Sequence, residues 1–192
     1  PTGAIEFVVR VKYAGGLVAN NYDLMRSPSV LVTGDGFAVT PGAVPAVYPG
    51  PLLPALRART IAEIGVQSVL RAADSAQLLG PAPDYSIDPF VMDAADTVLE
   101  IHARGEVYTH QAYALDMEVP SSIVESEARK RLRTFVQGLT DLVTLAGAEN
   151  LGPDGPLHPD AYRVQANPVD PSQYGDPAPT VVPWPAGTCL LY

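Results

Sequence analysis

VLVTGDGFAVTPG, residues 30–42, is the stretch on which the fold class turns. Two glycines around an aspartate admit three readings: a phosphate loop, a calcium loop or a plain turn. In a G-x-G-x-x-G fingerprint the third glycine would fall at position 39, which is valine. A phosphate loop must also run from strand into helix, so that helix N–H groups meet the phosphate. Here β-type residues flank the glycines on both sides. Asp-Gly between apolar runs is a strong hairpin signal, because the primed turns need positive φ. A two-residue turn at Gly34-Asp35 or Asp35-Gly36 is expected, which puts Val30, Val32, Phe37 and Val39 on one face.

Upstream, residues 4–13 (AIEFVVRVKY) alternate as a strand does, with Ile5, Phe7, Val9 and Val11 on one side and Glu6, Arg10 and Lys12 on the other. Downstream, residues 41–54 hold five prolines and two glycines. That density forbids a helix and a central strand, and predicts an ordered extended arm or an edge. Its apolar residues Val44, Val47, Tyr48, Leu52 and Leu53 are expected to pack down and seal the core. The sharper alternative is a ridge that a protein partner grips through Tyr48, Pro49, Pro51, Leu52 and Leu53, with Trp184 from the C-terminal segment.

Two capping boxes mark helices. Thr60 and Glu63 open one that should run to about Leu79, with Ile61, Ala62, Val66, Val69, Ala72, Ala73 and Ala76 on one face. Ser122 and Glu125 open the other, with Ala128, Leu132, Phe135, Leu139, Leu142, Val143 and Ala146 as its apolar stripe and Gly147 as its stop. The basic cluster Arg129, Lys130, Arg131 and Arg133 reads as a solvated face. Between the helices, residues 97–115 predict a second hairpin about Arg104-Gly105. A two-residue turn there pairs His102 with Val107 and sends His110 to the opposite face; a three-residue loop would bring both histidines to one face.

Asp84, Asp88, Asp93 and Asp96 fall within thirteen residues. They are candidate ligands for a calcium ion, which takes six to eight oxygens, but their spacing departs from the D-x-[DN]-x-[DN]-G loop. Turn capping explains them as well, and no metal or other cofactor is expected. The chain also lacks G-x-S-x-G, H-E-x-x-H, Walker A and C-x-x-C. No catalytic residue is therefore assigned. Paired carboxylates remain a hydrolytic or ligand-binding alternative, because thirteen Asp and eight Glu are present and no motif selects two of them.

The 192 residues are 47% apolar and 17% charged, as a globular domain is. Net charge is −9, which argues against nucleic acid as a partner, since that binding rests on Lys and Arg displacing counterions. No apolar run approaches the ~18 residues of a membrane span. Cys189 is alone, so an internal disulfide is excluded. Nine of the twenty prolines lie in residues 148–192, where only residues 161–166 could form a short strand. The order of elements predicts an α+β domain over residues 1–147, an antiparallel sheet built from two hairpins with two helices packed on one face. Residues 148–192 form a Pro/Gly-rich extension that wraps the domain or docks on a partner.

The segments YAGGLVANNYDL, VTGDGFAVTPG, AVYPGPLLPAL, PAPDY and THQAYALDM, in this order, resemble a group of secreted proteins and lipoproteins of actinobacteria and related bacteria, to which no activity is assigned. The likeness covers about residues 8–145, and VPWPAGTC near the end is similar too. It implies an extracytoplasmic location, secreted or envelope-associated, with membrane proximity through a lipid anchor not visible in a chain that opens on Pro1. It also implies a continuation past Tyr192. The expected function is a non-enzymatic cell-envelope protein, an accessory subunit with a protein partner.

Overall fold

The computed structural model describes residues 3, 6–17, 27–44, 46–47, 55–88 and 90–159. Contacts divide the chain into Pro1–His158 and Pro159–Tyr192, and the elements below all belong to the first unit. Trp184, Cys189 and residues 161–166 lie outside the described residues, as do Tyr48, Pro49, Pro51, Leu52 and Leu53.

The strands are β1 (Phe7–Ala14), β2 (Val30–Thr33), β3 (Phe37–Pro41), β4 (Leu56–Thr60), β5 (Asp96–Ala103), β6 (Glu106–Tyr113) and β7 (Gly155–Pro156). The helices are α1 (Glu63–Ser75), α2 (Glu127–Thr140) and α3 (Leu142–Ala146), followed by a 3-10 turn at Ala148–Asn150. One seven-stranded sheet runs β6-β5-β1-β2-β3-β4-β7, with every neighbour antiparallel. The α+β expectation holds, and the sheet is larger than two hairpins because β4 and β7 extend it.

Register explains why the helices share one side. Val9 pairs with Ile101 and Val32, and Val11 pairs with Leu99 and Val30. These side chains form one buried cluster with Val66, Val69 and Ala73 of α1 and with Leu132, Phe135 and Leu139 of α2. Full burial of each such aliphatic side chain is worth about 1.5–3 kcal/mol, so this single interface dominates the stability. A bulge between Phe7 and Val9 lets Val8 bury beside Val9. The opposite face carries Arg10, Lys12 and Glu100, with Glu100 Oε2 2.7 Å from Arg10 Nε and 3.3 Å from Lys12 Nζ. Burial works to raise the Glu100 carboxyl, but bonds and charge from those two cations outweigh it and hold it low.

The opening stretch forms its hairpin with a different register from the one expected. Leu31 pairs with Val39 and Val32 with Ala38, so the loop is three residues long, Gly34 to Gly36. One extra residue sends Phe37 and Val39 to the face opposite Val30 and Val32, and Ala38 takes the core place. Gly36 has φ +82°, the left-handed residue that a three-residue loop requires. Its carbonyl accepts from Ile61 N–H at 2.9 Å, and a Cβ there would lie 2.6 Å from the Ile61 carbonyl oxygen.

Neither capping box closes as expected. Thr60 stays in β4 opposite Phe37, and α1 begins after Ala62, which offers no side-chain cap. The N–H groups of Ile61 and Ala62 are held by Gly36 and Asn150 carbonyls, so long-range pairing displaces the local cap. Helix α2 begins after Ser126, whose Oγ accepts from Arg129 N–H at 3.2 Å, and Glu125 is drawn elsewhere. Helix α1 ends at Ser75, short of Leu79; Gln77 takes φ +62° and Leu78 N–H returns to Ala73 O at 2.9 Å. In the Pro-rich arm, Val44 and Val47 stand 69% and 59% exposed and do not pack down.

Replacing Gly36 with alanine should lower the unfolding free energy by about 1–3 kcal/mol, because it loads both backbone strain and a clash onto one turn. Urea denaturation of Gly36→Ala beside the wild type measures this.

Candidate functional site

The β5–β6 hairpin sets the geometry of the candidate site. Arg104 and Gly105 form its two-residue turn, with φ of +55° and +80°, the primed geometry that matches strand twist. The register is therefore His102 to Val107 and Leu99 to His110, so of the two loop lengths the sequence allows the two-residue turn is formed and the histidines lie on opposite faces. His102 sits on the polar face, its ring 6.2 Å from that of Phe7. His110 is fully buried under the helices.

Both His110 nitrogens are engaged. Nε2 lies 2.9 Å from the Leu78 carbonyl and Nδ1 lies 2.7 Å from the Tyr85 hydroxyl. A carbonyl only accepts, so Nε2 carries the proton and Nδ1 accepts from Tyr85. Burial depresses the His110 pKa and outweighs the opposing pull of the Leu78 carbonyl, so the ring is neutral. Burial likewise pushes the Tyr85 hydroxyl up, against the charge of Arg131, and keeps it a donor.

Tyr85 passes this chain of bonds on through its carbonyl. Arg129 Nη1 donates to Tyr85 O at 3.1 Å and Nη2 donates to Tyr113 O at 2.6 Å. Glu125 Oε1 lies 3.2 Å from Arg129 Nε and 2.6 Å from Arg133 Nη2, ion pairs without hydrogen-bond angles. Arg133 Nη1 donates to Glu125 Oε2 at 2.8 Å and Nε donates to Leu115 O at 2.9 Å. The basic cluster is thus not the solvated face its composition suggests. Arg129 is fully buried and Arg133 mostly so, while Lys130 stays outside with Glu127 at 2.7 Å. The signal was present in the spacing: Arg129 falls three residues before Leu132, on the flank of the apolar stripe, and four after Glu125.

This polar chain pins residues 82–87 beside β6 and leaves a groove of about 610 Å³ between them, lined by Asp84, Tyr85, Asp96, Thr109, Gln111 and Tyr113 among others. The structure therefore brings Asp84 and Asp96 together, while Asp88 and Asp93 line no part of that groove. Asp84 closes a turn with Ser86, accepting from its N–H and its hydroxyl at 2.9 Å each. Those two bonds, the backbone one first, hold its carboxyl below the usual range. Asp96 Oδ2 accepts from Gln111 Nε2 at 3.0 Å. Asp93 sits at φ +57°, and its carbonyl accepts from Leu17 N–H. Among the described residues no three His, Cys, Asp or Glu side chains converge to hold a metal ion.

Strand β6 is the outer strand of the sheet on this side. A two-residue hairpin makes Ala103–Glu106 a bonded pair, and bonded pairs then alternate. Val107, Thr109 and Gln111 therefore aim their backbone N–H and C=O groups away from β5, and all three residues are exposed. Among the described residues nothing pairs with those groups. A second groove, about 390 Å³, lies between α1 and the Arg104 turn, and its Arg104 and Asp74 meet each other at 3.2 Å.

No protein-family model, no curated protein and no solved structure matches the chain. Among the described residues no helix is long and apolar enough to cross a membrane.

Two outcomes check this geometry. Arg129→Leu removes one partner of a buried pair and strands two carbonyls, so it should cost about 3–5 kcal/mol in a denaturant titration. The second follows from His110. Its folded pKa is depressed, so between that value and the unfolded value near 6.5 the unfolded chain binds more protons. Stability should fall as pH drops below about 6.5, by at most about 1.4 kcal/mol per pH unit from this group. His110→Gln should remove that part of the slope, read as unfolding free energy at stepped pH.

Proposed function

We propose that this chain is a non-enzymatic bacterial cell-envelope protein, an accessory or binding subunit of a larger assembly, and that it takes a protein partner along β6. The observation that carries this reading is the form of that edge. Natural sheets blunt their edges with short strands, lysine, proline or bulges. The far edge here is β7, two residues long with Pro156 in it. By contrast β6 is eight residues long, regular in register throughout, and contains no proline or lysine. Such an edge is a template for strand addition.

The buried groups that usually do chemistry support the same reading. His110, Arg129 and Glu125 are engaged with backbone carbonyls and with one another. A hydrolytic site at Asp84 and Asp96 would need one carboxyl held protonated as the acid, and the bonds from Ser86 act on Asp84 in the opposite direction. The exposed Val44 and Val47 offer the partner a second contact on the Pro-rich arm. The envelope location rests on the resemblance to secreted proteins and lipoproteins, and a protein partner rather than nucleic acid suits the charge of −9.

Thr109→Pro tests the proposal. Its N–H faces outward, so proline there deletes an edge donor and spares the ladder to β5. Cross-linking in the native envelope should give a heteromeric product with the wild type that is lost with the folded variant. Equal products from both proteins, or a wild type that stays monomeric, would contradict it.

A further inference from the structure

We infer that the occupant of the β6 edge is an extended peptide strand with lysine or arginine at alternate positions, a conclusion that rests on reading β6 as a binding edge. Backbone recognition comes from Val107, Thr109 and Gln111, whose outward N–H and C=O groups repeat every second residue, as an added strand requires. Charge chooses among the strands that could add. Among the described residues, Asp84 and Asp96 are the only charged side chains lining the groove beside this edge. Glu106 begins the same strand and is exposed. The neighbouring cations are largely committed: Arg104 to Asp74, and Arg129 and Arg133 to Glu125. Among the described residues Arg131, whose charge reaches the Tyr85 hydroxyl from α2, is to be set against the carboxylates.

Both groove carboxylates are held ready. Ser86 fixes Asp84 and favours its charged form, and Gln111 on β6 itself fixes Asp96. An incoming strand with alternating side chains sends every second one to the same face, so lysines spaced two apart share the side on which a carboxylate can be met. The same charges argue against a second copy as the occupant. A second copy would bring another chain of net −9 to the same carboxylates. Like charges across a strand pair destabilise it.

The test uses the full chain and two synthetic peptides of about nine residues, one alternating lysine with valine and threonine, the other with glutamate in place of lysine. Titration calorimetry should show the lysine peptide binding one to one and the glutamate peptide failing to bind. The pair of substitutions Asp84→Asn and Asp96→Asn keeps the bonds to Ser86 and Gln111 and should weaken lysine-peptide binding about tenfold, the scale of two partly exposed ion pairs. Thr109→Pro should abolish it. Hydrogen exchange on the free protein should find the Val107, Thr109 and Gln111 amides unprotected, and protected once the lysine peptide is added. Equal binding of both peptides would overturn the charge assignment while leaving the edge intact as a binding surface. Edge amides already protected in the free protein, or a dimer in solution, would overturn the occupant. Unprotected edge amides that neither peptide protects would overturn the strand-addition reading as well.

Discussion

Arg129 is the residue on which the arrangement at this end of the sheet depends. A guanidinium taken fully out of water is tolerable only if its donors are met. Here the Tyr85 and Tyr113 carbonyls accept from its two terminal nitrogens, and the Glu125 carboxylate balances its charge as an ion pair at Nε. Satisfying one side chain therefore fixes the loop after α1, the end of β6 and the entry to α2 relative to one another. Tyr85 carries the constraint further, since its hydroxyl is the donor that His110 needs once Leu78 has taken the other ring nitrogen. Unpaired polar groups are costly at such a site, so loss of one member weakens the hold on the others.

The constraint has a consequence at the surface. The helices cover one face of the sheet through the Val9, Leu99 and Phe135 cluster, and an ion cluster around Glu100 occupies the other. Neither arrangement touches the outer edge of β6. Residues 82–87, pinned through Tyr85, run beside that edge without capping it, and their turn holds Asp84 in the groove. Burial of polar groups in the interior thus shapes an open backbone edge with carboxylates beside it. This arrangement is the structural basis for reading the chain as a binding subunit.

Local turn chemistry was legible in the sequence where it acts alone. Arg104-Gly105 marked the second hairpin, while the parity of His102 and His110 stayed open until the two-residue length of the turn was seen. Gly34-Asp35-Gly36 was legible as a turn but not in its length, and one residue decided which of Ala38 and Val39 entered the core. The capping boxes failed for a different reason. Thr60 and Glu125 have the local pattern, yet Phe37 and the two arginines compete for them from distant positions. Strand β4 was hidden as well, since Arg57 and Arg59 alternate with Leu56 and Ala58 in a stretch that directly follows the proline-dense arm. As for the candidate site, Asp84 and Asp96 were visible as carboxylates, but not that they line one groove beside β6, nor that Arg129 is buried behind it, which no charge count reveals.

One continuous chain of buried bonds joins His110 to Arg129 through Tyr85. A double-mutant cycle tests it most directly, since the two residues do not bond to each other. Unfolding free energies of His110→Gln, Arg129→Met and the double variant should show a coupling of about 0.5–3 kcal/mol, as members of one network do. Effects that add within about 0.3–0.5 kcal/mol would contradict the account, leaving two independent contacts where one shared constraint is claimed.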